Sequence, residues 1–266
     1  MVALLLFINF VNVDQQMLRY FLEIAYKGTH YHGWQIQDNA LSVQEKLNDA
    51  LAILLRDPVE TIGAGRTDTG VHARQLYVHF DSDAKILREA DRFVRSLNAL
   101  LPHDIAALRL ISVDNDAHAR FDATKRSYEY RVHFRKDPFL QEFSWQIRDR
   151  PAIDQMNQAA NFLLGKKDFS CFSKSNTQVF TNICDIHRAE WEPRGEQLVF
   201  HISADRFLRN MVRAIVGTLM EIGLGKQPVE HIKEVIKSKN RSQAGTSVPA
   251  CGLYLTEVVY PYIEKK

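Results

Sequence analysis

The chain has 266 residues, 45% of them hydrophobic and 25% charged, values ordinary for a folded globular protein that exclude a disordered or low-complexity chain. That length can hold one large domain or two modest ones around a buried core. With 34 basic against 32 acidic residues the formal net charge is only +2, which excludes a global cationic field; affinity for nucleic acid would have to come from local clustering.

The first ten residues, MVALLLFINF, are apolar, but they lack a basic start and a small-residue cleavage site and are too short to span a bilayer. Residues 1–16 read as an over-extended start or leader with no assigned role. No other segment approaches transmembrane length, so a soluble, cytoplasmic protein is expected. LRYFLEIAY, residues 18–26, alternates apolar and polar with the period of a half-buried strand. In SVQEKLNDALAILL, Ser42 and Glu45 form a capping box, and Val43, Leu47, Ala50, Leu51 and Leu54 share one helical face. A short strand over 59–63, a glycine-punctuated loop and a strand over 76–80 follow. A helix over 84–101, with Ile86, Ala90, Phe93, Leu97 and Leu100 in one stripe, leads to a strand over 105–113. The order is β-α-β-β-α-β.

The second half repeats it. SYEYRVHF puts Tyr128, Tyr130, Val132 and Phe134 on one strand face, and DQMNQAANFLLG reads as a helix stopped by Gly165. CDIHRAEW and QLVFHIS flank the turn EPRGE as a hairpin. A long helix over 204–223, a shorter one over 229–237 and the strand GLYLTEVV complete the chain. Two split β-α-β units predict an α+β fold: two ferredoxin- or RRM-like halves, 17–113 and 114–266, forming a mixed, mostly antiparallel sheet around a central cleft. Residues 114–125 connect the halves without a Pro/Gly linker, so freely moving domains are not expected.

The loop GAGRTDTGVHAR, residues 63–74, places Arg66 and Asp68 two positions apart among Gly63, Gly65 and Gly70, which permit sharp turns beside a ligand. It lacks the spacing of a phosphate-binding loop. Taken alone, Asp68 reads as a turn residue bonding its own amides, and Arg66 as a solvated charge. The helix DRFLRNMVRAIVGTLMEIG shifts that balance. Arg206, Arg209 and Arg213 lie on one face of an otherwise apolar helix, where an arginine needs a partner, and Asp68 would supply one across the cleft. ARFDATKRSYEYRVHFRK threads cations with aromatics, a composition suited to holding phosphates and stacking bases, although most of its rings serve the core. KSKNRSQ is a second basic stretch. Cys171, Cys184 and Cys251 form no CxxC pair and read as reduced thiols; Cys251 as a nucleophile has no other support.

Together, GAGRTDTGVHA, ARFDATKRSYEY, FLRNMVRAIVGTLMEIG and AGTSVPACGLYL, in this order, resemble the tRNA pseudouridine synthase A family over about residues 18–262. The leader has no counterpart. The resemblance implies the pseudouridine synthase fold, isomerisation of uridine to pseudouridine at positions 38, 39 and 40 of the tRNA anticodon stem-loop, no metal or organic cofactor, and a homodimer in which one tRNA touches both subunits. It also implies that Asp68 is the nucleophile, that Arg213 pairs with it and that Arg66 holds the flipped nucleotide. Tyr128, Arg126, Arg209 and Leu253 would line the substrate. The alternatives are a non-catalytic RNA-binding protein with two RRM-like halves, for which no clear RNP1 pattern is present, and a nucleotide-phosphate hydrolase, for which no metal-ligand carboxylates can be placed.

Overall fold

The alternating run LRYFLEIAY forms β1 (Leu18–Tyr26) in the computed structural model, which describes residues 17–83, 86–174 and 181–264; the leader lies outside them. The capping box is present: the Ser42 hydroxyl accepts from the Glu45 amide, and the Glu45 carboxylate accepts from the Ser42 amide. It opens α1 (Val43–Leu55), which buries Val43, Leu47, Ala50 and Leu51. The first half continues through β2 (Ile62–Gly63), β3 (His72–Ser82), α2 (Ala90–Leu100) and β4 (Ile105–Ser112). The second comprises β5 (Lys125–His133), β6 (Trp145–Gln146), α3 (Ile153–Asn161), β7 (Gly165–Asp168), β8 (Ile183–Arg194), β9 (Gln197–Ala204), α4 (Met211–Gly223), α5 (His231–Ser238) and β10 (Leu253–Val259).

The strands build one sheet ordered β4-β1-β3-β10-β5-β9-β8-β7, with β2 also paired to β3 and β6 to β5. In each half the four strands of the split motif lie in the sequence fourth, first, third, second: β4-β1-β3-β2, then β10-β5-β9-β8. The halves meet where β10 runs parallel to β3, Tyr254 opposite His72 and Leu255 opposite Ala73. On its other side β10 pairs antiparallel with β5, Leu255 opposite Tyr128. The expected α+β, mostly antiparallel architecture therefore holds, and the last strand in the chain is the one that closes the joint.

Apolar burial follows this plan in two clusters. One gathers β1, β3, β4, α1 and α2; the other gathers β5, β8, β9, α3 and α4. Tyr128 packs against both.

Several boundaries differ from expectation. The strand expected at 76–80 runs from His72 to Ser82, extended by its pairing with β1. The helix over 84–101 is regular only from Ala90, after a 3-10 turn at Ile86–Glu89. Gly165 does not stop α3, which ends at Asn161; at φ +87° it opens β7. The helix over 204–223 begins seven residues late, at Met211, because Asn210 is left-handed at φ 65°.

The central strands of the first half, β1 and β3, are largely covered on both faces. Behind β1 and β3, Phe21, Tyr77 and His79 are covered by Tyr260 and by the segment linking the halves, whose Ala119 amide donates to His79 Nδ1 at 3.1 Å. Burial pushes the His79 pKa down from 6.5 to about 4. The unfolded chain therefore takes up this proton first. The stability tied to neutral His79 is complete above pH 6.5 and is lost as pH falls toward about 4. His79→Gln keeps an acceptor for Ala119 but cannot titrate. Denaturant midpoints measured across this window should fall less steeply with acid in His79→Gln than in the wild type; equal slopes would contradict the assignment.

Candidate active site

The loop between β2 and β3 is shaped by its backbone. The Ala64 amide donates to the Tyr77 carbonyl at 2.8 Å, the Trp34 amide to the Thr67 carbonyl at 3.3 Å, and the Gly70 amide to the Tyr31 carbonyl at 3.2 Å. Thr67 Oγ1 lies 2.8 Å from the buried Tyr26 hydroxyl. A turn closes from the Val71 amide to the Asp68 carbonyl, and Gly70 takes its third position at φ +78°, where a side chain would be strained. Of the three glycines expected to bend this loop, only Gly70 uses the left-handed region. Gly63 instead leaves room for the Trp34 indole, and Gly65 faces open space.

Two residues then fasten the loop to the second half. Val71 is buried in the second-half core. His72 Nδ1 accepts from the Gly28 amide, so the ring proton sits on Nε2 and points at the carbonyls of Glu142 and Cys251. Burial lowers the pKa of His72 and keeps it neutral.

The turn is therefore made by main chain, and among the described residues no side-chain hydrogen bond ties the Asp68 carboxylate to its own amides. The carboxylate faces cations of the other half. Arg213 Nη1 is 3.7 Å from one oxygen and Arg209 Nε 3.8 Å from the other. Both distances exceed a hydrogen bond, so these are charge pairs with the anion's lone pairs still available. Arg213, in the first turn of α4, is 21% exposed and donates through Nε to the Val248 carbonyl at 2.7 Å; Arg209 is 57% exposed. The expected single cationic helix face does not exist. Arg206 and Arg209 precede α4 in irregular chain, and among the described contacts Arg206 is not brought to Asp68. Arg209 and Arg213 thus approach from a loop and from a helix.

Tyr128 lies on β5, edge-on to Phe207 with ring centroids 5.1 Å apart. Burial pushes its pKa up to about 12, with Asp68 adding to the rise and Arg126 opposing it, so the hydroxyl stays protonated at neutral pH. Arg126, read from sequence as a substrate contact, is given another role by the structure. Its terminal nitrogens donate to four main-chain carbonyls, those of Ala64, Arg120, Ala123 and Asp205, at 2.6–3.0 Å. It staples the start of the loop to the second half and has no terminal donor left for a ligand. Leu253, also expected at the substrate, is buried in the second-half core with 6% exposure and pairs with Tyr130. Arg66 is exposed on the loop.

Sequence reasoning missed Val248 and Phe207. Val248 lies inside the quoted segment AGTSVPACGLYL, whose carbonyl, not its side chain, is the functional group; Phe207 looked like helix core. Cys251 has its thiol pKa raised by burial, which argues against a nucleophile. An open concavity of about 910 Å³ lined by Lys27, His30, Arg74 and Phe143 does not include Asp68. Asp68, its two cations and Tyr128 collect instead at the seam between the two cores. Among the described residues no group of three or more His, Cys, Asp and Glu could hold a metal ion.

Comparison with known proteins bears directly on this arrangement. Residues 159–261 match a family model described as tRNA pseudouridine synthase. The chain is 51% identical over 244 residues to tRNA pseudouridine synthase A of Bacteroides fragilis, covering 91% of this chain and 96% of that protein. It is 48% identical to the protein of that name in Parabacteroides distasonis (92% and 97% covered) and 42% identical to that of Francisella tularensis subsp. novicida (92% and 95%). A solved Cbf5-Nop10-Gar1 complex contains a chain similar at a TM-score of 0.36 and 10% identity, covering 88% of this chain and 57% of that one; a likeness so remote carries no argument. With its length matched almost end to end by these relatives, the chain belongs to the tRNA pseudouridine synthase A family.

Proposed function

We infer that this chain isomerises uridine to pseudouridine in tRNA, with Asp68 as nucleophile. The observation that carries the reading is one carboxylate, free of its own turn, set against two arginines from the other half of the chain. The reaction breaks the bond between ribose carbon 1′ and uracil N1, turns the ring, and forms a bond from carbon 1′ to carbon 5. The hydrogen leaves carbon 5, N1 gains one, and no net oxidation occurs. A carboxylate can drive this only as an anion. Partial burial removes part of the water that would otherwise face the charge, and neighbouring guanidinium groups stand in its place. Arg213 and Arg209 supply that charge at a distance that leaves the oxygens uncommitted.

Tyr128 provides a flat, apolar ring against which the detached uracil stays stacked. Arg66, exposed two residues from Asp68, holds the phosphodiester of the flipped nucleotide, and Arg126 keeps the loop at its station. The target base has to leave its stack, at a cost of about a few kcal/mol, which cationic contacts to the backbone offset. The site of modification is the anticodon stem-loop at positions 38, 39 and 40. The protein works in the cytoplasm as a homodimer whose two copies share one tRNA, residues 17–113 and 114–266 acting as the two halves of each copy.

Mapping of pseudouridine by carbodiimide adducts and primer extension, on unmodified tRNA incubated with the protein, should find it at positions 38–40; conversion confined to another arm would overturn the assignment of the stem-loop. At Tyr128, stacking worth about 1–3 kcal/mol predicts that Tyr128→Ala lowers kcat/KM by roughly ten- to hundredfold while Tyr128→Phe loses much less. Equal losses in the two variants would mean that the hydroxyl, not the ring, is essential.

A further inference from the structure

Helix α4 begins in an unusual way. Its N-cap, Asn210, sits at φ 65° and ψ 4°, a left-handed conformation, and its side chain makes no capping bond to the helix. The amide instead donates from Nδ2 to Ser247 Oγ at 2.5 Å. The same Ser247 oxygen accepts from Arg241 Nη2 at 2.9 Å, and Arg241 Nη1 binds the carbonyls of Ala244 and Gly245 at 3.2 and 3.1 Å. Arg241 belongs to KSKNRSQ, which the sequence shows only as a second basic stretch. Its guanidinium is committed to this loop.

The loop it cinches is the one that holds Arg213. The Val248 carbonyl accepts from Arg213 Nε at 2.7 Å, and the Val248 amide donates to the Arg213 carbonyl at 3.3 Å. The Gly245 amide donates to Thr218 Oγ1 at 2.9 Å, and the loop lies so near α4 that a side chain on Gly217 would begin 1.9 Å from the Thr246 carbonyl oxygen. One end of this assembly therefore fixes Arg213 directly. The other fixes the backbone of Asn210, whose immediate neighbour is Arg209. A non-glycine residue in the left-handed region, next to Arg209 and three residues before Arg213, is a local geometry that its surroundings have to hold.

We propose that Arg241, Ser247 and Asn210 form a brace that positions Arg209 and Arg213 opposite Asp68. All three are positioning residues and none touches the reacting atoms. The proposal rests on the catalytic reading of Asp68 above. It states that the charge pairs at 3.7 and 3.8 Å persist because the arginines are held from behind, by a serine hydroxyl shared between two donors.

The test is single-turnover release of tritium from tRNA labelled at carbon 5 of uridine, with KM measured alongside. Ser247→Ala removes the shared acceptor. Asn210→Gly removes its donor while accepting the left-handed backbone freely, and it carries the test if Ser247→Ala fails to fold. A misplacement of the arginines by a fraction of an ångström predicts a fall of about tenfold in the rate for either variant, with KM for tRNA within about twofold. The double variant should lose no more than the worse single one, because both act through one contact. Ser247→Thr, which keeps the hydroxyl, should recover most of the rate. Rates within twofold of wild type for both single variants, fully multiplying losses, or a raised KM at unchanged rate would each overturn the brace. If the wild type itself releases no tritium, it is the catalytic reading that falls.

Discussion

A carboxylate partly buried in a protein demands cations or donors in place of the hydration it loses. Asp68 meets that demand with groups that its own half of the chain does not contain: Arg209 and Arg213 come from sequence some 140 residues downstream. The site therefore exists only when the two halves are joined in one register. The parallel contact of β10 with β3, the burial of Val71 in the second-half core, the His72 bridge and the four carbonyls on Arg126 all serve that register. Each ties the carboxylate loop to the half that carries the cations. The β10–β3 contact, Val71 and neutral His72 add no charge near the anion, whereas Arg126 brings a cation whose terminal donors are spread over four carbonyls.

What could be read from the sequence was what local chemistry fixes. The capping box at Ser42 and Glu45 acts within four residues, and the alternation in LRYFLEIAY and SYEYRVHF follows from one strand and one buried face. The turn around Asp68 was legible too. What was not legible is that the main chain makes it, leaving the carboxylate for other work. Failures came where distant partners decide. ADRFLRN continues the apolar period of α4, yet it is not helical, because Asn210 is turned left-handed and bonded to Ser247, 37 residues on. Arg126 has the same appearance as the other cations of its tract. Only the assembled fold places four carbonyls around it. Leu253 was drawn into the substrate list by its motif, while its strand position buries it.

The arginines illustrate how unequal groups of one type can be. Arg126 is structural, Arg213 is anchored by a carbonyl while it faces Asp68, Arg209 is more than half exposed, and Arg66 stands open on the loop. A guanidinium presents five donors in a fixed fork, so the same side chain can staple backbone or meet an anion, depending on which carbonyls reach it first. With net charge close to neutral, function rests on this local division of labour and owes little to a general attraction for RNA.

The central claim is that Asp68, and no other group at the seam, carries the chemistry. The most direct measurement is release of tritium from tRNA labelled at carbon 5 of uridine, comparing the wild type with Asp68→Asn and recording tRNA binding by both. Asn preserves the shape of the side chain and removes its charge. The account predicts that the variant binds tRNA and releases no label, whereas turnover surviving in Asp68→Asn would contradict it.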